Sequence, residues 1–239
     1  MGSSYLLASA VIQPLIVGLS DDFGRRLLLF LSALFFTIGS LICCLSNGFT
    51  LLLLGRSIQG IGGGGIMALN NVIISDIVPL RYRPNYIAVP QLAWALGTII
   101  GPFVGGLFVE HATWRWVFYI NFPFCAIGLA IIPFTVKLVA ERPSIKERLM
   151  RMDWLGMSLF IASTTSFLIG ITWGGVEYEW SSWQTLVPLL LGLFGLYLTC
   201  MWEIFVAPRP FLRLSLFNNR SANAAYLGTL LQGLLVCQN

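Results

Sequence analysis

The chain is 239 residues long, 57% hydrophobic and only 10% charged, with a net charge of +4 and a mean hydropathy of +0.82. A water-soluble domain carries about 25% charged residues, so this composition excludes one and defines an all-α integral membrane protein set in a lipid bilayer. The positive balance does not point to nucleic acid, because the basic residues fall in short gaps between apolar runs rather than along one stripe.

A helix needs about 20 apolar residues to cross the hydrocarbon core. In chain order the apolar segments are Ser4 to Gly18, Leu27 to Leu45, Phe49 to Ile77, Tyr86 to Val109, Val117 to Val139, Trp154 to Trp173, Thr185 to Val206 and Ser221 to Val236. The first is short and begins almost at Met1. It lacks the positive stretch that opens a signal peptide, and Leu6 stands where a myristoylation site needs Ser or Thr. A polar gap from Lys137 to Asp153, centred on Pro143, separates five spans from three. The chain therefore divides into a transmembrane bundle (1–139), a cytoplasmic linker (140–153), a helix pair (154–206) and the opening of a further bundle (207–239).

Orientation follows from Lys and Arg, which concentrate on the cytoplasmic side. Twelve of the fourteen lie in alternate gaps: Arg25 and Arg26; Arg81 and Arg83; Lys137, Arg142, Lys146, Arg148 and Arg151; Arg209, Arg213 and Arg220. Those gaps are assigned to the cytoplasm, which leaves Arg56 inside a span and Arg115 in an outer gap. Trp114, Trp116, Trp173, Trp180 and Trp183 gather at the outer boundary, as an interfacial belt does. Cys43, Cys44, Cys125, Cys200 and Cys237 lie within or beside apolar runs without metal-ligand spacing, and read as small hydrophobes.

Three stretches depart from plain spans. In the fourth segment, Gly97-Thr98-Ile99-Ile100-Gly101-Pro102-Phe103-Val104-Gly105-Gly106 pairs a proline, which removes a helix hydrogen bond, with glycines that clear one face for a neighbouring helix. In the first cytoplasmic gap, Asp21 is placed to cap a helix N-terminus, and Arg25 or Arg26 to meet a helix C-terminus or a carboxylate. In the third segment, Arg56 stands about a turn and a half into an apolar run. A charge there must face a partner or cavity, where it biases a proton site or binds substrate, or else snorkel to the outer interface. The run Gly62 to Gly65 lacks the Gly-Lys-Ser/Thr of a phosphate loop and reads as helix packing. Gln59, Asn70, Asn71 and Gln91 are polar groups within spans; they line a cavity or join helices by hydrogen bonds.

Together these stretches resemble the major facilitator superfamily. Leu19 to Arg26 (Leu-Ser-Asp-Asp-Phe-Gly-Arg-Arg) is similar to its loop signature between the second and third helices, although Val17 stands where a glycine is usual. Leu52-x-x-x-Arg56-x-x-Gln59-Gly60-x-Gly62 is similar to its fourth-helix signature, and Gly97-x-x-x-Gly101-Pro102-x-x-Gly105-Gly106 to the fifth-helix antiporter signature. Trp114-Arg-Trp-Val-Phe-Tyr-Ile-Asn121-Phe-Pro123 and Asp76-Ile-Val-Pro-Leu-Arg81-Tyr-Arg83 resemble the fourteen-span drug:proton antiporters, most of all their fungal multidrug and toxin efflux members.

The resemblance implies a partial fold: the N-terminal half without its first helix, the extra helix pair, and the start of the C-terminal half. It implies alternating access of two halves about a midplane site, with export of small amphipathic organic compounds and no cofactor beyond the proton gradient. Asp21, Gly24, Arg25 and Arg26 become a conformational latch, Arg56 the proton-coupling group, and Gly60, Gly97, Gly101, Pro102, Gly105 and Gly106 the packing and kink positions. Gln59, Asn70, Asn71 and Gln91 become cavity candidates, and the plasma membrane the expected location. Every carboxylate lies in a gap or near a span end, so a truncated chain that does not transport is the competing expectation. Nutrient import is disfavoured by the Gly-Pro pattern. An enzyme finds no His cluster, nucleophile turn or Ser-His-acid set.

Overall fold

The computed structural model describes residues 2–111, 113–135, 153–205 and 227–228. Among these the architecture is helical throughout: α1 (Gly2–Phe23), α2 (Arg25–Leu45), α3 (Phe49–Ile77), α4 (Arg83–His111), α5 (Trp116–Tyr119), α6 (Asn121–Thr135), α7 (Trp154–Trp173) and α8 (Trp183–Phe205). Each of the first seven apolar segments becomes a helix, with the fifth broken at Ile120 into α5 and α6. The linker expected at 140–153 lies outside the described residues except for Asp153, as does the last apolar segment except for Leu227 and Gly228.

Among the described residues six stretches are long and apolar enough to cross a membrane, with α5 and α6 counting as one, so the chain is a multi-pass membrane protein. The helix α3 is absent from that set although it has 29 residues. Its glycines and its polar side chains, Arg56, Gln59, Asn70 and Asn71, dilute its hydropathy. It is instead the most enclosed helix, packed along both α1 and α2.

Glycine makes that packing physically available. A Cβ at Gly60 or Gly64 would fall on the backbone of Tyr5 or Ser9 in α1. A Cβ at Gly62 would fall on the backbone of Phe36 in α2, and one at Gly65 on the Ser32 hydroxyl. Gly39 of α2 repays the approach, since a Cβ there would meet the Gln59 backbone. Without side chains at these points the helix axes come close enough for dispersion forces, which drive association where lipid is as apolar as protein. The helices α1 and α2 are joined by Gly24 alone, splay apart, and receive α3 between them.

Around this three-helix core, α6 lies along α2, and α7 touches α1. The helices α7 and α8 form a close hairpin by the same device: Gly170 faces the Leu189 backbone, Gly192 the Phe167 backbone and Gly195 the Ser163 side chain. Ser166 donates across the pair to the Pro188 carbonyl at 2.8 Å. The helix α4 stands apart. It continues through Pro90 and Pro102, yet has no buried residue across its span. Close helix approach was expected at its glycine face, but Gly97, Gly101, Gly105 and Gly106 have nothing within 4 Å of a Cβ position among the described residues.

Candidate functional site

At one end of the core, α1, α2 and α3 meet around Arg25. The turn between α1 and α2 is a single residue, Gly24, with φ 90° and ψ 142°, a conformation that only glycine adopts without strain. That turn throws Arg25 back over the last turn of α1. Its Nη1 lies 2.5 Å from Asp21 Oδ1 and also donates to the Ser20 hydroxyl. Its Nε donates to Asp76 Oδ2, at 3.0 Å, in the last turn of α3. Asp21 therefore does not cap α2, as the sequence suggested. It belongs to α1, its carboxylate is spent on Arg25 four residues on, and the α2 N-cap is Gly24 without a side-chain bond. Arg26 is exposed beside this cluster. Asp76 sits at a helix C-terminus, where its charge opposes the macrodipole, and Arg25 compensates it.

Nearby, Arg83 at the start of α4 donates through Nε to the Val78 carbonyl at 3.0 Å and through Nη2 to the Ser75 carbonyl at 2.6 Å. Those are carbonyls at the end of α3 that lack an intrahelical partner. The basic gaps at Arg25 and at Arg81–Arg83 are thus at the same end of the bundle.

Toward the opposite end, Arg56 of α3 is half-buried and donates from Nη1 to Gln59 Oε1 at 3.2 Å. Gln59 is itself 2% exposed and donates from Nε2 to the Ser40 hydroxyl of α2 at 2.9 Å. The Ser40 hydroxyl in turn donates to the Phe36 carbonyl at 2.8 Å. The Gln59 amide is therefore occupied in joining α3 to α2. The Arg56 guanidinium lies 4.6 Å from the centroid of the Phe118 ring in α5, and its Nε is buried without a hydrogen-bond acceptor among the described residues.

Arg115, the exception in the charge pattern, explains itself at this end. Its Nε donates to the Cys44 carbonyl at 3.0 Å, and its Nη2 to the Ser46 carbonyl at 2.9 Å and to Asn47 Oδ1 at 3.2 Å. It caps the α2 C-terminus, where a cation is favoured, so it has a structural partner on the side where basic residues are otherwise sparse.

The remaining candidates are dispersed. Asn70 is half-buried, and Asn71 and Gln91 are exposed. The α4 glycines with Pro102 stay open, as described, while Gly60 is buried against α1. Among the described residues no group of His, Cys, Asp or Glu is placed to hold a metal ion. Glu203 is 4% exposed near the end of α8, beside Trp202, whose indole donates to Asp153 Oδ2 at 2.8 Å. Asp76, Arg83, Arg115 and Phe118 are the site residues that the segment-by-segment reading did not assign. Their partners lie on other helices, although each stands within a quoted motif.

Comparison with known proteins gives the context. Residues 1–235 match the sequence profile of the Major Facilitator Superfamily. The chain is 45% identical over 235 residues to "MFS transporter L2" of a Phoma species, covering 98% of this chain and 39% of that protein. It is 36% identical over 241 residues to "MFS-type efflux pump LUC4" of a Fusarium species, covering 98% and 42%. It is 37% identical over 236 residues to "MFS-type efflux pump MMF1" of Mycosarcoma maydis, covering 98% and 38%. The chain thus spans about two-fifths of the length of these curated fungal relatives.

Proposed function

Because this chain belongs to the major facilitator superfamily, we propose that it is the core of one half of a proton-coupled exporter of small amphipathic organic compounds. The direction of transport is supported by relatives that carry the name efflux pump and by the Gly-Pro pattern of α4. The observation that carries coupling is Arg56, a guanidinium about 10 Å along the axis from the start of α3 at 1.5 Å per residue. It is held by Gln59 and Phe118, with no ion pair to a carboxylate among the described residues.

In this reading Arg56 stays charged throughout the cycle and changes the affinity of a nearby group for a proton as the halves rock. The Arg25 cluster is the latch at the cytoplasmic end: breaking Arg25–Asp76 frees α3 to move against the α1–α2 turn, and Asp21, Gly24 and Arg26 complete the set. The open glycine face of α4, Gly97 to Gly106 with Pro102, is the surface that another helix approaches during the cycle. Substrate meets the polar groups of the spans, with Asn70 and Asn71 the candidates that the packing leaves accessible and Gln91 a third on α4. The plasma membrane is the proposed location.

The experiment is a chimera in which this chain replaces the matching stretch of the Phoma relative, expressed in yeast cells stripped of their own exporters. Lower retention of rhodamine 6G than in control cells, restored to control by a protonophore, is the expected result. Retention equal to control overturns the export reading, and raised dye content points to import.

A further inference from the structure

The Arg56 ring contact is the end of a longer stack. Phe118 is 5% exposed and packs with Cys43, Cys44 and Leu52. Behind it the Trp114 ring stands edge-on, with centroids 6.1 Å apart and planes at 86°. The Trp114 face in turn carries the Arg115 guanidinium at 4.8 Å. Arg115 is fixed by three hydrogen bonds to the C-terminal end of α2. Cation, ring, ring and cation therefore run from the capped end of α2 to the interior arginine of α3.

We propose that Trp114, Arg115 and Phe118 form a brace that positions Arg56, with Phe118 as the positioning residue that keeps its guanidinium turned inward. The proposal rests on the coupling role given to Arg56 above. The chemistry suits that task. The face of a phenyl ring attracts a cation through its quadrupole and offers no proton site, so it holds the charge without quenching it. A carboxylate at the same place would lock the guanidinium in an ion pair. With Phe118 and Gln59 both in contact, the Arg56 Nε–H has no acceptor among the described residues.

Both arms of the grip trace back to α2. Gln59 reaches it through Ser40, and Phe118 reaches it through Trp114 and Arg115. A shift of α2 relative to α3 thus moves both contacts of Arg56 together. An arginine seven residues from its helix start also has a stem long enough to reach the outer interface, and the contact with the buried Phe118 ring opposes that excursion.

The test is the reactivity of Arg56 toward phenylglyoxal, a guanidine-selective reagent, in membranes holding the chain, read on the Arg56 peptide by mass spectrometry. Phe118→Leu, which keeps apolar bulk and loses the ring, raises the modification rate about tenfold, between the weights of an exposed and a desolvated cation–π contact. Phe118→Trp leaves it near the parent rate, and Arg115→Gln raises it in the same direction. Phe118→Met stands in if the leucine variant does not insert. A rate unchanged in Phe118→Leu and Phe118→Met overturns the brace.

In the Phoma chimera, Phe118→Leu loses gradient-driven accumulation of rhodamine 6G in everted vesicles but keeps dye counterflow, and Phe118→Trp restores accumulation. Loss of counterflow along with accumulation, or no rescue by tryptophan, overturns a positioning role. Gradient-driven transport that survives Arg56→Lys removes the coupling reading alone, and the phenylglyoxal rates still decide the brace.

Discussion

Arg25, Arg83 and Arg115 each spend several donors where helices end, and Arg115 shows what that is worth. Hydrogen bonds to a charged group contribute about 1.5–3 kcal/mol each. Against neutral carbonyls at a partly open site, Arg115→Ala is expected to lower unfolding free energy by about 3 kcal/mol in total. Arg115→Lys recovers less than half, because an ammonium cannot reproduce the fork that reaches Cys44, Ser46 and Asn47 at once. Denaturant titration of the purified protein in detergent measures both. Gly24 is the second residue-scale case. Its φ of 90° makes Gly24→Ala cost about 1–3 kcal/mol, seen in the same titration, and an unchanged midpoint would contradict the one-residue turn. Such residues were visible as types but not as pairs. Arg25 and Asp76 are separated by 51 positions, and no local pattern announces a partner on another helix. Arg115 was legible only as an exception to the charge rule.

The glycines of α3 and α4 look alike in sequence and differ in the structure. Gly62 lies against the Phe36 backbone, whereas Gly101 has open space around it. Gly62→Leu therefore forces α2 and α3 apart, at about 3 kcal/mol or more for overpacking a close contact. Gly101→Leu leaves the unfolding midpoint within about 0.5 kcal/mol of the parent, as a surface substitution does, and abolishes dye export in the chimera. Equal destabilisation by the two would contradict the placement of α4. The helices themselves were readable because a bilayer fixes their length and forbids unpaired backbone. What the pattern could not carry was which pairs lie side by side. A clear glycine face says that something approaches closely. For α3 the described chain supplies that neighbour on two sides; for α4 it supplies none.

Across the whole molecule, the basic residues of the first two gaps share one end of the bundle, and those from Lys137 to Arg151 and from Arg209 to Arg220 lie outside the described residues. The Arg25–Asp76 cluster with Arg83 occupies one end, and the Arg115 cap lies at the α2 terminus far from it. This fixes relative sidedness, and the positive-inside rule assigns the first end to the cytoplasm. A cysteine placed at Ser144 should then be unreachable by an impermeant thiol reagent in intact cells, while one at Ser181 is labelled; the reverse would invert the topology. The short reach of the chain along its relatives, 39% of the Phoma protein, explains why the cavity was the least legible part. Residues facing the midplane of a two-half transporter acquire their surroundings from both halves. Asn71 and Gln91 are exposed here, whereas among the described residues Gln59 is the candidate with side-chain partners in the three-helix core.

In the proposed function, an arginine held inside the bilayer couples a proton gradient to export. The most direct measurement is rhodamine 6G accumulation by everted vesicles of the Phoma chimera under an imposed acid-inside gradient, with the parent sequence and Arg56→Lys compared. The expected result is accumulation in the parent that collapses with nigericin, and loss of that accumulation in Arg56→Lys at unchanged protein level. Accumulation of equal size in both, or none that responds to the gradient in the parent, would contradict it.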